Sequence, residues 1–150
     1  MSEKAFIREA RMEDAGDLAR LSAQLGYPCR DREVETRLAR REGRDDGTVL
    51  VVEEEGRVLA WASLEVVDRF YIETFAELTG LVVDEARRRQ GLGELLIEAA
   101  ERWTRARGLD TLRLKTNVVR REAHLFYERL GFEKVKEQFT YLKQLVPARE

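Results

Sequence analysis

Cysteine and histidine are nearly absent from this sequence, whose 150 residues include only one of each. The single cysteine, Cys29, excludes an internal disulfide framework and any metal site built from several thiolates. The single histidine, His124, excludes a histidine-rich metal centre and leaves one residue around which a Ser-His-Asp triad could form. We therefore expect no metal cofactor, and we interpret Cys29 as an inert small thiol in a loop.

An excess of one charge is also missing, because 27 basic residues face 29 acidic ones and the net charge is −2. Binding along a nucleic acid needs a net basic face, so we expect no nucleic-acid partner. No apolar run approaches the roughly 20 residues that cross a bilayer, and the N-terminus MSEKAFIREA lacks the apolar region of a signal peptide. We expect a cytoplasmic protein without a membrane partner.

Prolines are few, two in the whole chain, and no repeat, low-complexity tract or Ser/Pro-rich linker divides it. Apolar residues make up 43% and charged residues 37%, which is the balance of a folded chain rather than a disordered one. A chain of this length suits one domain that buries roughly two-thirds of its unfolded surface. We expect a single domain over residues 1–150.

Apolar spacing predicts two helices and four strands in the first part of the chain. Leu18, Leu21 and Leu25 recur at helical spacing. The stretch Arg57–Val67 has apolar residues on both faces, which is typical of an interior strand. The expected elements are, in order, a strand at Ala5–Glu9, a helix ending at Gly26, a helix at Asp31–Arg41, and strands at Thr48–Glu54, Arg57–Val67 and Phe75–Val83.

The second part opens with the strongest periodic signal in the chain. A long helix is predicted between Gly91 and Gly108 from the apolar residues Leu92, Leu95, Leu96, Ala99, Ala100, Trp103 and Ala106. The elements expected after it are a strand at Thr111–Thr116, a helix closing at Gly131, and one or two strands in the tail Phe132–Leu145. This order describes an α/β (α+β) protein with a mixed central sheet of six to seven strands flanked by four helices.

A glycine-containing turn joins a buried strand to the long helix. The strand Leu81-Val82-Val83 is followed by Asp84–Arg87 and then by Arg88-Arg89-Gln90-Gly91-Leu92-Gly93. Free backbone N–H groups at a helix N-terminus attract phosphates, and glycines let a phosphate approach them. The segment lacks the dinucleotide-binding fingerprint, because Leu96 replaces its third small residue, and it lacks the Walker A Gly-Lys-Ser/Thr. A pyrophosphate site and a solvated structural turn both remain open here.

Two motifs give the stretch Leu81–Phe132 its resemblance to a known family. The first is Arg88-x-x-Gly91-x-Gly93, between an apolar strand and a long helix. The second is the block Thr116–Phe132, in which Ala123-x-x-x-Tyr127 is followed by Gly131-Phe132. Together, at this separation, they resemble the core of the GNAT acetyltransferase superfamily.

The resemblance implies an acetyl-CoA co-substrate, bound where the parallel strands Phe75–Val83 and Thr111–Thr116 splay apart. Backbone groups of Leu81 and Val83 would pair with the pantetheine arm, and the N–H of Val83 would polarise the thioester carbonyl. Many members have asparagine at the position of Arg120, whereas Asn117 lies three residues earlier and is expected to contact the arm instead. The expected cofactor-binding residues are Leu81, Val82, Val83, Arg88, Arg89, Gln90, Gly91, Leu92, Gly93, Asn117 and Tyr127.

The same resemblance suggests a general acid, and the strand pattern suggests a general base. Tyr127 matches the family's proton donor to the CoA sulfur, although it also continues an apolar helical stripe. Glu77 is the expected base, since it begins the strand that leads to the thioester and shares a face with Thr79, Leu81 and Val83. The alternative for Glu77 is a solvent-facing strand residue. For His124 we expect a solvated or capping role.

The family's acceptor site lies between the first inter-helix loop, the middle strands and the C-terminal strands. Acidic and aromatic side chains there suit a small cationic amine, aminoglycoside-like or polyamine-like. A protein lysine or N-terminus is the alternative acceptor, and a non-catalytic CoA-binding regulatory module is the alternative of another class. Homodimers are common in the family. The expected acceptor-pocket residues are Gln24, Tyr27, Glu65, Asp68, Tyr71, Glu73 and Glu77.

Overall fold

The structure is a computed structural model that describes residues 4–147. The chain forms two compact units, one reaching to Lys115 and the other beginning at Thr116. The first unit holds the sheet and three of the helices, and the second holds the fourth helix and the C-terminal tail.

The first unit is built on a five-stranded mixed sheet with strand order β1-β2-β3-β4-β5. The first four strands pair antiparallel, and β5 pairs parallel to β4. The expected interior strand is confirmed, because β3 lies at the centre of the sheet. The strands are β1 Phe6–Glu9, β2 Gly47–Glu54, β3 Arg57–Val67, β4 Phe75–Val83 and β5 Leu112–Leu114.

Four α-helices accompany these strands: α1 Ala15–Leu25, α2 Asp31–Ala39, α3 Leu92–Ala106 and, in the second unit, α4 Arg121–Arg129. One face of the sheet packs against α1 and α2 through a core that includes Leu18, Leu21, Val51, Val58 and Val82. The amphipathic α3 packs on the strands with its buried side chains, Leu92, Leu96, Ile97, Ala99, Ala100 and Trp103. Within residues 4–147 no helix is long and apolar enough to cross a membrane.

The expectation of six to seven strands is wrong for the described part of the chain, which forms five. The predicted strands in the tail Phe132–Leu145 are missing, and Phe139, at 88% exposure, shows how open that segment is. Alternating apolar residues suit a strand, but a strand also needs a hydrogen-bonded neighbour. Residues 133–147 have no such backbone partner among the residues described. The strand expected at Thr111–Thr116 is likewise shorter, Leu112–Leu114.

Candidate active site

An extra residue in β4 marks the middle of the candidate site. Gly80 opposes Ser63 of β3, but the next pair is Leu78 with Leu64, so Thr79 has no partner in the ladder. The Thr79 hydroxyl instead donates to the Ser63 carbonyl oxygen at 3.2 Å. Such a β-bulge bends the strand and changes which way the following peptide groups face.

The bulge determines which amides of β4 point toward the side where β5 lies. Before it, the N–H of Ala76 donates to the carbonyl of Thr111 at 3.0 Å, on the β5 side. After it, the N–H of Asp84 donates to Leu59 of β3 at 2.8 Å. Since successive N–H groups alternate along a strand, those of Leu81 and Val83 point away from β3.

The parallel pairing of β4 with β5 ends before these amides. It covers only Ala76–Leu78, opposite Leu112–Leu114, whereas the pairing with β3 continues to Val83. Residues 79–83 therefore have no strand partner on that side in the described part of the chain. Two N–H donors, those of Leu81 and Val83, are left for a ligand that lies along the edge like an added strand.

This open edge leads directly to the N-terminus of α3. The N-cap Gly91 adopts the left-handed conformation, with φ +82°, and has no side chain to cap the helix. The first intrahelical bond runs from the N–H of Leu95 to Gly91 at 3.1 Å. The N–H groups of Leu92, Gly93 and Glu94 have no acceptor within residues 4–147. They provide the positive end of the helix dipole, where anions bind.

A network around Asp84 holds the turn between β4 and α3. The Asp84 carboxylate accepts a hydrogen bond from Arg20 of α1 at 2.7 Å and one from the N–H of Ala86 at 3.1 Å. Burial alone would raise the pKa of Asp84, but these hydrogen bonds outweigh it and hold the pKa below its ordinary value. The Gln24 side chain also belongs here, since it accepts a hydrogen bond from the N–H of Glu85 at 2.9 Å.

The three consecutive arginines of the turn have different roles. Arg87 makes an ion pair with Glu54 at 2.5 Å and a hydrogen bond with Gln90 at 2.8 Å, so it supports the turn. Arg89 has a φ of +65°, which is uncommon for a residue with a side chain. Among the residues that the structure describes, Arg88 and Arg89 make no side-chain hydrogen bond or ion pair, which leaves both guanidinium groups available to an anion.

Glu77 lies before the bulge, in a largely buried position with 15% of its side chain exposed. It faces Glu65 across the β3–β4 ladder, and the exposed Lys115 ammonium lies 3.9 Å from its carboxylate. Two carboxylates in directly opposite positions repel each other, so a cation beside them is stabilised. This pair makes the β3–β4 position a favourable place for a protonated amine.

The bulge corrects one expectation about Glu77. Before the bulge Glu77 pairs with Glu65, and after it Gly80 pairs with Ser63 and Val82 with Trp61. Because alternate residues of β3 share a face, Glu77 lies on the face of Gly80 and Val82. The extra residue places Leu81 and Val83 on the other face, whereas a regular strand would have put them beside Glu77.

The residues expected at the acceptor pocket lie at two ends of β4. Gln24 is hydrogen-bonded to the turn between β4 and α3, at the end of β4 opposite Glu77, and its assignment to the acceptor stays a prediction. Asp68, Tyr71 and Glu73 are exposed in the β3–β4 connection, next to the end of the sheet that carries Glu65 and Glu77, and Asp68 accepts a hydrogen bond from Thr74 at 3.2 Å. Tyr27 is exposed just after α1.

In the second unit, Tyr127 lies in α4 between two aromatic neighbours. Its ring meets those of Phe126 and Phe132 edge-on, with centroids 5.2 and 5.7 Å away. Burial raises the pKa of the Tyr127 phenol, and nearby Arg120 offsets part of that effect. His124 contacts the carbonyl oxygen of Asn117 at 2.8 Å, and the Asn117 side chain accepts from the N–H of Val119 at 3.1 Å.

One set of residues was missed by the sequence analysis. Four arginines line an open pocket of about 480 Å³ on the same face of the sheet as Glu77. The signal was present in the sequence, because they recur at helical spacing across the end of α2. The full lining is Arg37, Arg40, Arg41, Arg44, Asp46, Glu65 and Val66.

Comparison with known proteins gives consistent matches. The model of the acetyltransferase (GNAT) family matches residues 12–132. An amino-acid acetyltransferase of Pseudomonas fluorescens is 36% identical over 130 residues, which are 85% of this chain but only 27% of that protein. The chain thus spans about a quarter of the length of that relative. The aminoglycoside N(6')-acetyltransferase type 1 of Klebsiella aerogenes is 25% identical over 97% of this chain and 100% of its own.

A solved structure supports the fold. The crystal structure of glucosamine-6-phosphate N-acetyltransferase from Arabidopsis thaliana superimposes with a TM-score of 0.81. The match covers 95% of this chain and 100% of that one, at 24% identity.

In the part of the chain described here, no group of three or more His, Cys, Asp or Glu side chains could hold a metal ion.

Proposed function

The chain belongs to the GNAT acetyltransferase family, and on that premise we propose that it transfers the acetyl group of acetyl-CoA to a primary amine of a small molecule. Attack takes place directly, with both substrates bound. The observation that carries the proposal is the open edge of β4, which presents two unpaired amides and ends at the free N–H groups of α3.

The binding of the CoA portion follows from that edge. The amides of the turn from Arg88 to Gly93 hold the pyrophosphate, with the Arg88 and Arg89 guanidinium groups beside it. The pantetheine arm lies against Leu81–Val83 and accepts hydrogen bonds from the N–H groups of Leu81 and Val83. Asn117 and Tyr127 complete the proposed set from the second unit.

The position of the thioester along β4 is constrained by the base. The bulge leaves Leu81 three and Val83 five β3 positions beyond Glu77, so at about 3.4 Å per residue Leu81 lies about 10 Å from Glu77 and Val83 about 17 Å. A carboxylate acting through one water on an amine reaches the shorter distance far more readily. We therefore propose that the N–H of Leu81 donates the hydrogen bond to the thioester carbonyl. The family resemblance had suggested the N–H of Val83 for this role.

The proposed chemistry divides the protons between two residues. The ammonium of the acceptor is stabilised by Glu65 and Glu77, and Glu77 takes its proton through water. The neutral nitrogen then attacks the carbonyl carbon, forming the C–N bond while the C–S bond breaks, and the second proton that the nitrogen loses on becoming an amide restores the Tyr127 phenol through water. Tyr127 donates its phenolic proton to the departing sulfur, since a phenol holds its proton at neutral pH and burial raises the pKa of this one further.

A polycationic acceptor of the aminoglycoside or polyamine type is the second candidate. It is favoured by the full-length relative from Klebsiella, which carries that activity in its name, and by the acidic β3–β4 connection. Acetylation of a protein amine and non-catalytic CoA binding are the remaining alternatives. From the sequence, we also propose that the protein is cytoplasmic and forms a homodimer.

An amine-panel screen that detects free thiol released from acetyl-CoA tests this function. We expect amine-dependent release with small primary amines, and mass spectrometry should find the acetylated amine. The Gly91→Glu variant, in which a carboxylate occupies the pyrophosphate position, should be inactive. Acetyl-CoA binding without turnover on any amine or peptide would instead select the non-catalytic module.

A further inference from the structure

The pocket at the end of α2 has an unusual concentration of positive charge. Its lining carries four arginines against two acidic residues. Its volume of about 480 Å³ is within the range of small-molecule sites. The four arginines lie at offsets 0, 3, 4 and 7 from Arg37, so they share one side of the helix and of the turn after it.

Within residues 4–147, two of the arginines hold an acidic side chain by a hydrogen bond or ion pair, whereas Arg41 acts on Asp46 only through its charge and adds to the Arg44 hydrogen bond in lowering the pKa of that carboxyl. Arg44 holds Asp46 with two hydrogen bonds, at 2.7 and 3.1 Å, and Arg37 lies 3.6 Å from Glu33. Arg40 and Arg41 make no side-chain hydrogen bond or ion pair within residues 4–147. Like charges held this close repel each other, and an anion between them removes that repulsion.

The pocket adjoins the position where the proposed function places the acceptor amine. Its lining residue Glu65 is the ladder partner of Glu77, and the Cβ atoms of such partners are about 5 Å apart. The backbone N–H of Val66, another lining residue, donates to the backbone carbonyl oxygen of Asp46 at 2.8 Å. This hydrogen bond connects the edge of the pocket to β3. A small molecule with its amine at Glu77 therefore extends naturally into the arginine pocket.

We propose that the acceptor is an amine that also carries an anionic group, a carboxylate, phosphonate or phosphate, and that Arg40 and Arg41 bind this group. The inference rests on the proposed function. Guanidinium groups bind these oxyanions through paired N–H donors, which gives both affinity and orientation. Glu65 and Glu77 hold the ammonium end of the same molecule, so the site as a whole matches a zwitterion.

The arrangement also distinguishes this acceptor from a polycationic one. A second ammonium group a few bonds from the reacting amine would lie among four guanidinium groups, where like charges repel it. An anionic group at that distance meets two arginines that make no side-chain hydrogen bond or ion pair in the described part of the chain. The pocket therefore favours an acceptor with an anionic group, which it attracts, over a polycationic acceptor, which it repels.

The test compares matched acceptors by steady-state kinetics. The pairs are α-amino acids with their carboxamides, 2-aminoethylphosphonate with ethanolamine, and glucosamine 6-phosphate with glucosamine. We expect at least one anionic member to exceed its neutral counterpart in kcat/KM by about tenfold or more, mainly through KM. The pair that shows the effect distinguishes a carboxylate from a phosphorus oxyanion. Equal kcat/KM in all pairs, or higher values for the neutral members, would overturn the inference.

The double variant Arg40→Gln/Arg41→Gln assigns the effect to the pocket. It should reduce the preference to about twofold or less through KM while kcat stays unchanged. The matched control Arg32→Gln, on α2 but outside the pocket lining, should keep the preference. Thermal unfolding of each variant verifies that it is folded. A preference that survives in the folded double variant would contradict the assignment.

A second readout separates this inference from the proposed function. Inorganic phosphate is titrated into each protein while the Nε–Hε NMR signals of the arginines are followed. We expect saturable shifts of the Arg37 and Arg44 signals in the wild type and in Arg32→Gln, and none of these two signals in the double variant. The Arg88 and Arg89 signals, at the proposed pyrophosphate site, should respond in all three proteins. If no amine is acetylated, the proposed function fails while the shifts of Arg37 and Arg44 still support an anion pocket. If amines are acetylated but these two signals show no saturable shift, the inference fails alone.

Discussion

At Tyr127, removal from water shapes the chemistry of a single side chain. A phenol with its ordinary pKa of 10 holds its proton throughout the neutral range, and burial raises the pKa of Tyr127 above that value. A proton donor to a departing thiolate needs this property. The motif position identified the residue in the sequence, but the apolar pattern around it could not distinguish a donor from a core tyrosine.

Replacing Tyr127 with phenylalanine removes the proton and keeps the ring. We expect kcat to fall by about a hundredfold or more, as for loss of a general acid, while the Kd of acetyl-CoA changes by less than about twofold. Stopped-flow turnover and calorimetry measure the two quantities. Tyr141→Phe, at a residue of the exposed tail, is the matched control and should leave both unchanged. An unaltered kcat in Tyr127→Phe would show that Tyr127 is not the general acid.

Replacing Glu77 with glutamine keeps its shape but removes the carboxylate that takes the proton of the amine. We expect kcat/KM to fall by about a hundredfold or more, and the limb of the pH–rate profile that depends on this carboxylate to disappear. Glu98→Gln on the exposed surface of α3 should have the wild-type profile. If Glu77→Gln and the wild type gave superimposable profiles, the base would have to be water or another residue.

At the scale of single elements, the bulge in β4 gives the site its geometry. Its form depends on Gly80, where an added Cβ would lie 2.8 Å from Cζ3 of Trp61. Real Cβ atoms do not approach an aromatic ring so closely, and the ring is rigid and partly buried. Gly80 thus allows the indole to pack directly over the strand beside the bulge.

We expect Gly80→Ala to lower the free energy of unfolding by about 1–3 kcal/mol, the usual cost of overpacking. It should also weaken acetyl-CoA binding, because the displaced strand carries the amides of Leu81 and Val83. Urea unfolding and calorimetry measure these effects. The double variant Gly80→Ala/Trp61→Phe shortens the ring system and should recover part of both losses. No recovery would mean that the contact with Trp61 is not the cause.

The start of α1 is held to the sheet by an ion pair whose strength depends on pH. Arg8 of β1 donates two hydrogen bonds to Asp14, at 2.8 and 2.9 Å, and lowers the pKa of that carboxyl. Because the folded pKa is lower than the unfolded value, the ionised carboxylate stabilises the fold at neutral pH. That stabilisation disappears as the pH falls from about 4 through the folded pKa.

Asp14→Asn should therefore cost about 2 kcal/mol at pH 7 and progressively less as the pH falls below 4. Urea unfolding at several pH values measures the difference. Glu137→Gln removes an exposed pair with Lys134 and should have little effect at any pH. A cost for Asp14→Asn that stays constant into acid would contradict the linkage.

At the scale of the whole molecule, the sequence predicted the order of elements through α4 because each has a strong local signal. The stripe of α3 and the two-faced apolar pattern of β3 are examples. The bulge at Thr79 could not be predicted, since it reflects how β4 pairs with β3. The same limit applies to the tail, where alternating residues such as Phe139 and Tyr141 indicated strands. Strand formation depends on a partner elsewhere in the chain.

In the candidate site, too, local features were predictable from the sequence and contacts between distant segments were not. Motif spacing selected Gly91 and Tyr127 as candidates, and the strand pattern selected Glu77; all three stay predictions. The arginine pocket was missed because Arg40 and Arg41 read as an ordinary solvated helix face. Only the fold reveals that this face adjoins Glu65 and Glu77. Local chemistry was therefore readable in the sequence, whereas proximity between distant segments was not.

Ligand binding should also stabilise the entire fold. A ligand at one hundred times its Kd adds about 2.7 kcal/mol to the free energy of unfolding. We expect acetyl-CoA to raise the melting temperature of the wild type by several degrees but not that of Gly91→Glu. Gly108→Glu is the matched control, since Gly108 also has a positive φ and open space, at the other end of α3. A stabilised Gly91→Glu variant would contradict the pyrophosphate position.

The central claim is that the open edge of β4 and the N-terminus of α3 bind acetyl-CoA together. A crystal structure of the protein with acetyl-CoA tests it most directly. We predict the pyrophosphate within hydrogen-bond distance of the amides between Arg88 and Gly93, and the pantetheine arm paired with Leu81 and Val83. Density for the cofactor at another place, with these amides still unpaired, would contradict the account.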